Sequence, residues 1–191
     1  MGQLTWLDRS ATLACRVCDH DGDAACVAHV AVPGRPAFDV VRCPACGSVD
    51  LLDEPMDSST DDLSVDTYAE AGAGIGTIAA GLAQVDPTTV RRFLDVGCNY
   101  GFALDIGRFL HGWEVVGVEP SYAGKRGATE LDLDIKPVYL DDSVDVGPPF
   151  DLILASEVLE HVPDPLGFLQ MLGRRINPGG TLVLTLSLIH I

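Results

Sequence analysis

From Arg91 onward, short apolar runs alternate with stretches of helical periodicity, the texture of βαβ units feeding a parallel sheet. Phe93-Leu94-Asp95-Val96 predicts a first strand. Phe102, Ala103, Ile106, Phe109 and Leu110 then share one face of a helix that closes at His111-Gly112, where glycine can take a left-handed cap. Glu114 to Glu119 reads as a second strand, and Ser121 as the cap of a helix reaching about Glu130. Ile135 to Tyr139 predicts a third strand, which Pro137 marks as an edge. Asp151 to Ala155 is the fourth. Leu166, Leu169, Leu172 and Ile176 line the next helix, Asn177-Pro178-Gly179-Gly180 turns the chain, and Thr181 to Leu186 is the fifth strand. The pattern predicts an α/β, Rossmann-like fold, a mostly parallel sheet flanked by helices.

Upstream the texture differs. Ile75, Ile78, Ala79, Leu82 and Val85 recur at helical spacing and predict a helix from about Tyr68 to Gln84, weakened by glycines and ended by Asp86-Pro87. Its apolar stripe is expected to pack on the domain that follows, with a lid over a ligand site as the alternative. Between Gly47 and Val90 there is no Lys or Arg, while Asp50, Asp53, Glu54, Asp57, Asp61, Asp62, Asp66, Glu70 and Asp86 are all acidic, the composition of a solvated linker. The chain therefore reads as three parts: residues 1–52, an acidic linker and helix over 53–90, and an α/β domain over 91–191.

Composition narrows the function classes. With 28 acidic against 12 basic residues, a net charge of -16 argues against a sequence-independent grip on phosphate backbones or anionic membranes. No nucleic-acid partner and no membrane association are expected. No apolar run reaches the length of a spanning helix, and a cytoplasmic location is expected. Nothing in the sequence reports the oligomeric state.

Four of the six cysteines form two Cys-x-x-Cys pairs, Cys15/Cys18 and Cys43/Cys46, separated by 24 residues that include a candidate hairpin through Pro33-Gly34-Arg35-Pro36. Two such turns supply four thiolates to a tetrahedral Zn2+ site, and in so small a region the metal would contribute the folding energy. Cys26 and Cys98 stand alone.

In an open parallel sheet, ligands bind beyond the carboxyl ends of the strands. After the first strand comes Gly97-Cys98-Asn99-Tyr100-Gly101, a tight turn with glycine at both ends. The second strand ends in Glu119, placed to accept hydrogen bonds from both hydroxyls of a ribose. The spacing departs from G-x-G-x-x-G, which disfavours a dinucleotide and hence a nicotinamide-dependent oxidoreductase.

Residues Phe93 to Gly101, Val115 to Pro120, Asp151 to Pro165 and Asn177 to Leu182 resemble, in order and spacing, four motifs of the class I S-adenosylmethionine (SAM)-dependent methyltransferases. Asn99 departs from the commoner G-x-G-x-G. The resemblance implies that Gly97, Cys98, Asn99 and Gly101 wrap the methionine part of SAM; Asp95 reads as ordering the backbone amides of its own turn rather than touching substrate. It implies that Glu119 holds the ribose, that Asp141 or Asp142 meets the adenine amino group, and that Ser156 and Glu157 border the sulfonium. His161, with Glu157, is the candidate general base. Cys98 reads as a small packing residue rather than a nucleophile.

The Cys-x-x-Cys pairs resemble a zinc ribbon with Cys15, Cys18, Cys43 and Cys46 as ligands. Ribbon and methyltransferase together resemble a group that includes sugar C-methyltransferases. The expected reaction is methyl transfer to a small-molecule acceptor, a nucleotide-linked sugar or natural product among the candidates. The alternative is a non-catalytic zinc-binding interaction module with a vestigial nucleotide-binding fold. The methyltransferase fold carries two strands after the fifth, so the sheet is expected to be incomplete at its C-terminal side and the chain truncated, with Ser187 to Ile191 atypical of the family.

Overall fold

The computed structural model describes residues 3–31, 33, 37–52 and 74–186. The acidic stretch 53–73, most of the hairpin proposed at Pro33 to Pro36 and the segment Ser187 to Ile191 lie outside the described residues. The chain divides into two units, Met1–Ser58 with Pro163–Leu166, and Ser59–Val162 with Gly167–Ile191.

The first unit is a four-stranded antiparallel sheet in the order β1 (Gln3–Ala14), β2 (Asp21–Ala31), β3 (Phe38–Arg42) and β4 (Val49–Leu51). Leu13, Ala24, Cys26 and Val41 form its small core together with Cys15 and Cys43. The long β1–β2 pair escapes a period-of-two reading because its register shifts between Trp6 and Arg9, which breaks the alternation. Buried Asp39 accepts from His29 Nδ1 (2.7 Å) and pairs with Arg9.

In the second unit, β5 (Arg92–Val96), β6 (Glu114–Val118), β7 (Ile135–Lys136), β8 (Phe150–Ser156) and β9 (Ile176–Thr185) lie in the order β7-β6-β5-β8-β9 with every neighbour parallel. Alternation along the central strands divides the core in two. Phe93, Leu152 and Leu154 face one cluster with Leu104 and Trp113, and Leu94, Ile153 and Ala155 face the other with Phe168 and Leu172. On the first face pack α1 (Ile75–Leu82) through Ile78 and Leu82, α2 (Phe102–His111) and α3 (Tyr122–Glu130), and α4 (Pro165–Gly173) covers the second. The sequence of crossovers reverses between β5 and β8, the switch point at which this architecture opens a crevice. Among the described residues no helix is long and apolar enough to cross a membrane.

Four expectations are corrected. The third strand is Ile135–Lys136 alone, because Pro137 has no N–H to continue the ladder. The buried face of α2 is Ala103, Leu104 and Gly107, whereas Phe109 and Leu110 are 84% and 65% exposed. The helix lies so close to the sheet that a Cβ on Gly107 would come within 2.7 Å of the Trp113 ring, and a count of apolar residues gives glycine no weight. Ile176 belongs to β9 rather than to α4. The Asn177 to Gly180 turn is a bulge within β9, where Phe150 pairs with Ile176 but Leu152 pairs with Thr181.

Candidate functional site

The loop after β5 is moulded by backbone geometry. Gly97 (φ 72°), Asn99 (φ 49°) and Gly101 (φ 91°) all take left-handed conformations. Asn99 thus stands at the middle glycine position of a G-x-G-x-G turn, and asparagine is among the few side chains that tolerate this backbone. The amides of Gly97 and Cys98 donate to Val118 O (2.8 and 3.4 Å), and that of Gly101 to Cys98 O (2.8 Å). On the outside, Tyr100 bonds Glu130 through its hydroxyl and lies beneath the Arg126 guanidinium. A Cβ at Gly127 would overlap the Tyr100 carbonyl, so only glycine lets α3 approach this loop.

Glu119, at the end of β6, grips the loop from the other side. Its Oε2 accepts from the Asn99 amide (3.1 Å) and its Oε1 from the Ser121 amide (2.9 Å). Ser121 occupies the N-cap of α3 as expected; its side chain makes no cap bond, and its amide donates to Glu119. Asp95 is buried, and burial together with the Glu119 charge pushes its carboxyl well above the ordinary range. It does not order the turn as expected: the loop amides go to Val118, Glu119 and Cys98 O instead. Cys98 packs in the core, and its thiol is pushed up by burial and then by Asp95 and Glu119.

Across the switch point, the chain leaving β8 makes a tight corner. Ser156 Oγ and Thr185 Oγ1 are 2.7 Å apart, and the Glu157 amide donates to Thr185 O (2.9 Å). Glu157 itself has φ 58°, an outlier for a long side chain of a kind that concentrates at functional sites. A Cβ on Gly97 would sit 2.5 Å from Val158, so this corner and the β5 loop are in direct contact. His161 ends a single 3-10 turn, Leu159–His161, and is exposed.

Asp141 and Asp142 are exposed and engaged elsewhere. Asp141 Oδ1 accepts from the amide and hydroxyl of Ser143 (2.7 and 2.6 Å), which hold its carboxyl below the usual range. Asp142 pairs with Arg174 and Arg175, and those guanidiniums lower it likewise. The structure therefore gathers Asp95, Gly97 to Gly101, Glu119, Ser156 and Glu157 at the strand ends and leaves Asp142 committed to arginines.

The fit to SAM can be judged from the donor set. Glu119 presents an acceptor at the end of β6, and Asn99 Oδ1 is buried without a hydrogen-bond partner among the described residues; acceptors suit the hydroxyls and ammonium of SAM and disfavour a phosphate. SAM fits the residues present.

In the first unit the two Cys-x-x-Cys turns have the same hydrogen-bond plan. Cys15 N donates to His20 O and Asp19 N to Cys15 O; Cys43 N donates to Ser48 O and Gly47 N to Cys43 O. Asp19 and Gly47 both take positive φ. The four sulfurs lie within 4.8 Å of one another, with Cys15–Cys46 and Cys18–Cys43 each at 3.7 Å. That matches the edge, about 3.8 Å, of a tetrahedron with zinc–sulfur bonds of about 2.3 Å. The hydroxyl of Ser48 and the amide of Val17 lower the Cys15 thiol to about 6. The amide of His20 would lower Cys18, but desolvation and the three neighbouring thiols outweigh it and carry Cys18 to about 12. The cluster could hold a metal ion.

A parallel sheet with a glycine-rich turn after its first strand, an acid closing its second and a left-handed corner after its fourth defines a Rossmann-like α/β domain. A family model described as "Methyltransferase domain" matches residues 63–190, and the chain belongs to that family. It is 34% identical over 100 residues to a ubiquinone biosynthesis O-methyltransferase of Alkalilimnicola ehrlichii, covering 49% of this chain and 40% of that protein. It is 36% identical over 106 residues to the protein of that name from Mesorhizobium japonicum, covering 50% and 42%. The chain thus spans about two fifths of the length of these relatives. Among solved structures, StiE O-MT aligns with a TM-score of 0.53 at 20% identity, over 60% of this chain and 44% of that one. The plantazolicin methyltransferase BpumL in complex with S-adenosylhomocysteine (SAH) aligns with a TM-score of 0.53 at 15% identity, over 63% and 51%. These similarities establish the fold.

Proposed function

We propose that the chain carries the SAM-binding part of a methyltransferase acting on a small-molecule acceptor. The observation that carries this reading is the Glu119 carboxylate pinned between Asn99 and Ser121, beside a loop with three alternate left-handed residues. Gly97, Asn99 and Gly101 would hold the methionine part through backbone, and Glu119 the ribose. SAM supplies an activated methyl group for in-line displacement. Ser156 and Glu157, at the corner in contact with Gly97, would border the acceptor. Glu157 or His161 would take the proton of a hydroxyl acceptor; His161, being exposed, would meet it from the solvent side. The O-methyltransferase relatives favour oxygen over carbon as the nucleophile, and the sugar C-methyltransferase likeness has no such support.

The Cys15, Cys18, Cys43 and Cys46 cluster is proposed to bind zinc as a closed structural site, since all four positions of a tetrahedron are filled by thiolates. A thermal-shift comparison of SAM, SAH and NAD+ tests the cofactor assignment. Stabilisation by SAM and SAH, lost in Glu119→Ala, is expected; stabilisation by NAD+ alone overturns it.

A further inference from the structure

The two Cys-x-x-Cys turns of the first unit share a backbone plan but not a set of side-chain neighbours. Cys43 N donates to Ser48 O, and at the matching place Cys15 N donates to His20 O. The side chains at these two places reach different partners. Ser48 Oγ accepts from the Cys46 thiol (3.1 Å) and lies 3.4 Å from Cys15 Sγ, so one hydroxyl meets a sulfur of each turn. His20 Nε2 is buried with no hydrogen-bond partner among the described residues. Cys18 and Cys43 are 3.7 Å apart, as Cys15 and Cys46 are, yet among the described residues no hydroxyl meets either of them. The cluster is thus chemically lopsided although its two close sulfur pairs have the same separation.

We infer that Ser48 is a positioning residue of the cysteine cluster, a hydroxyl that steadies the Cys15 and Cys46 sulfurs on the metal and leaves Cys18 as the corner open to electrophiles. The inference rests on the zinc-site reading given above. Four thiolates around a divalent cation leave surplus negative charge, in a chain whose own net charge is -16. Donors to sulfur offset that charge. A metal-bound thiolate has no proton to give, so the bond to Cys46 turns round and the Ser48 hydroxyl donates, its proton shared with Cys15. A sulfur that accepts such a bond holds its lone pair more tightly and is the weaker nucleophile. Cys18 and Cys46 are both exposed, so access to solvent does not separate them. The hydroxyl does.

Zinc and cobalt titration of the full chain tests this on wild type, Ser48→Ala and Ser48→Thr. The bond from Cys43 N to Ser48 O needs no side chain, so Ser48→Ala keeps the turn while Ser48→Thr keeps the hydroxyl. Ser48→Ala is expected to hold zinc about ten-fold more weakly in chelator competition. Its thiolate-to-cobalt charge-transfer band should move to longer wavelength as the sulfurs gain electron density, and Ser48→Thr should restore both readings. Iodoacetamide, whose methylene a sulfur attacks as iodide leaves, should alkylate zinc-loaded wild type at Cys18 before Cys46, an order that mass spectrometry should find lost in Ser48→Ala. Unchanged zinc affinity and band position in Ser48→Ala overturn the inference, as does alkylation of Cys46 first in wild type. Weaker zinc binding with an unmoved band, not restored by Ser48→Thr, assigns Ser48 to the fold alone and overturns it too. Wild type that binds neither zinc nor cobalt overturns the zinc-site reading and this inference with it.

Discussion

Asn99 is where the local rule and the site meet, because a side chain with a Cβ occupies a backbone position that otherwise belongs to glycine. A β-branched residue there would strain the turn by about 1–3 kcal/mol. Asn99→Val is expected to lower stability by that amount in urea denaturation; an unchanged midpoint would contradict the strain argument. Glu119 matters through two bonds at once. Glu119→Gln keeps its shape but turns one acceptor into a donor facing an amide N–H, and SAH affinity is expected to fall at least ten-fold. Asp95 offers a pH test. Its folded carboxyl is raised by burial and by Glu119, so its stabilising contribution is full below the ordinary aspartate range and is lost as pH rises through the folded value. Unfolding free energy measured from pH 4 upward should decline more steeply for wild type than for Asp95→Asn. Equal slopes would place the Asp95 titration elsewhere.

At the scale of elements, the mostly parallel sheet was readable from the alternation of short apolar runs with helical stretches, whereas the strand order that sets the switch point was not. Nor were the contacts that bring helices close. Periodicity chose Phe109 and Leu110 for the buried face of α2, yet the helix seats itself on Ala103, Leu104 and Gly107. Gly107→Ala is expected to cost about 1–3 kcal/mol against Trp113, while Phe109→Ser should shift stability by no more than about 0.5 kcal/mol; the reverse order would restore the periodic face. Asp151 is a further tie that no motif announces. Its Oδ2 accepts from the amides of Arg91 and Arg92 (2.9 and 3.0 Å) and its Oδ1 from Asn177 (2.8 Å), joining the start of β5 to the bulge in β9. The strand-end acids and glycines were legible because their chemistry depends on residue type at a fixed place in a motif. The hydrogen bonds of Ser121 and the arginine pairing of Asp142 were not legible, because they depend on which neighbour folds beside them.

For the whole molecule, two units imply two separable dependences on ligand. A four-stranded sheet with a core of six buried residues, two of them cysteines of the four-sulfur cluster, is expected to draw its stability from the proposed zinc. Chelation is expected to abolish the thermal transition of the first unit, and zinc to restore it; a transition indifferent to chelator would make the cysteine cluster non-metallic. The second unit carries the central claim, a SAM site built by Gly97 to Gly101 and Glu119. The most direct measurement is calorimetric titration of the zinc-loaded chain with SAH. Saturable one-to-one binding that Glu119→Ala abolishes is the predicted result. No binding by a chain that melts cooperatively would contradict it.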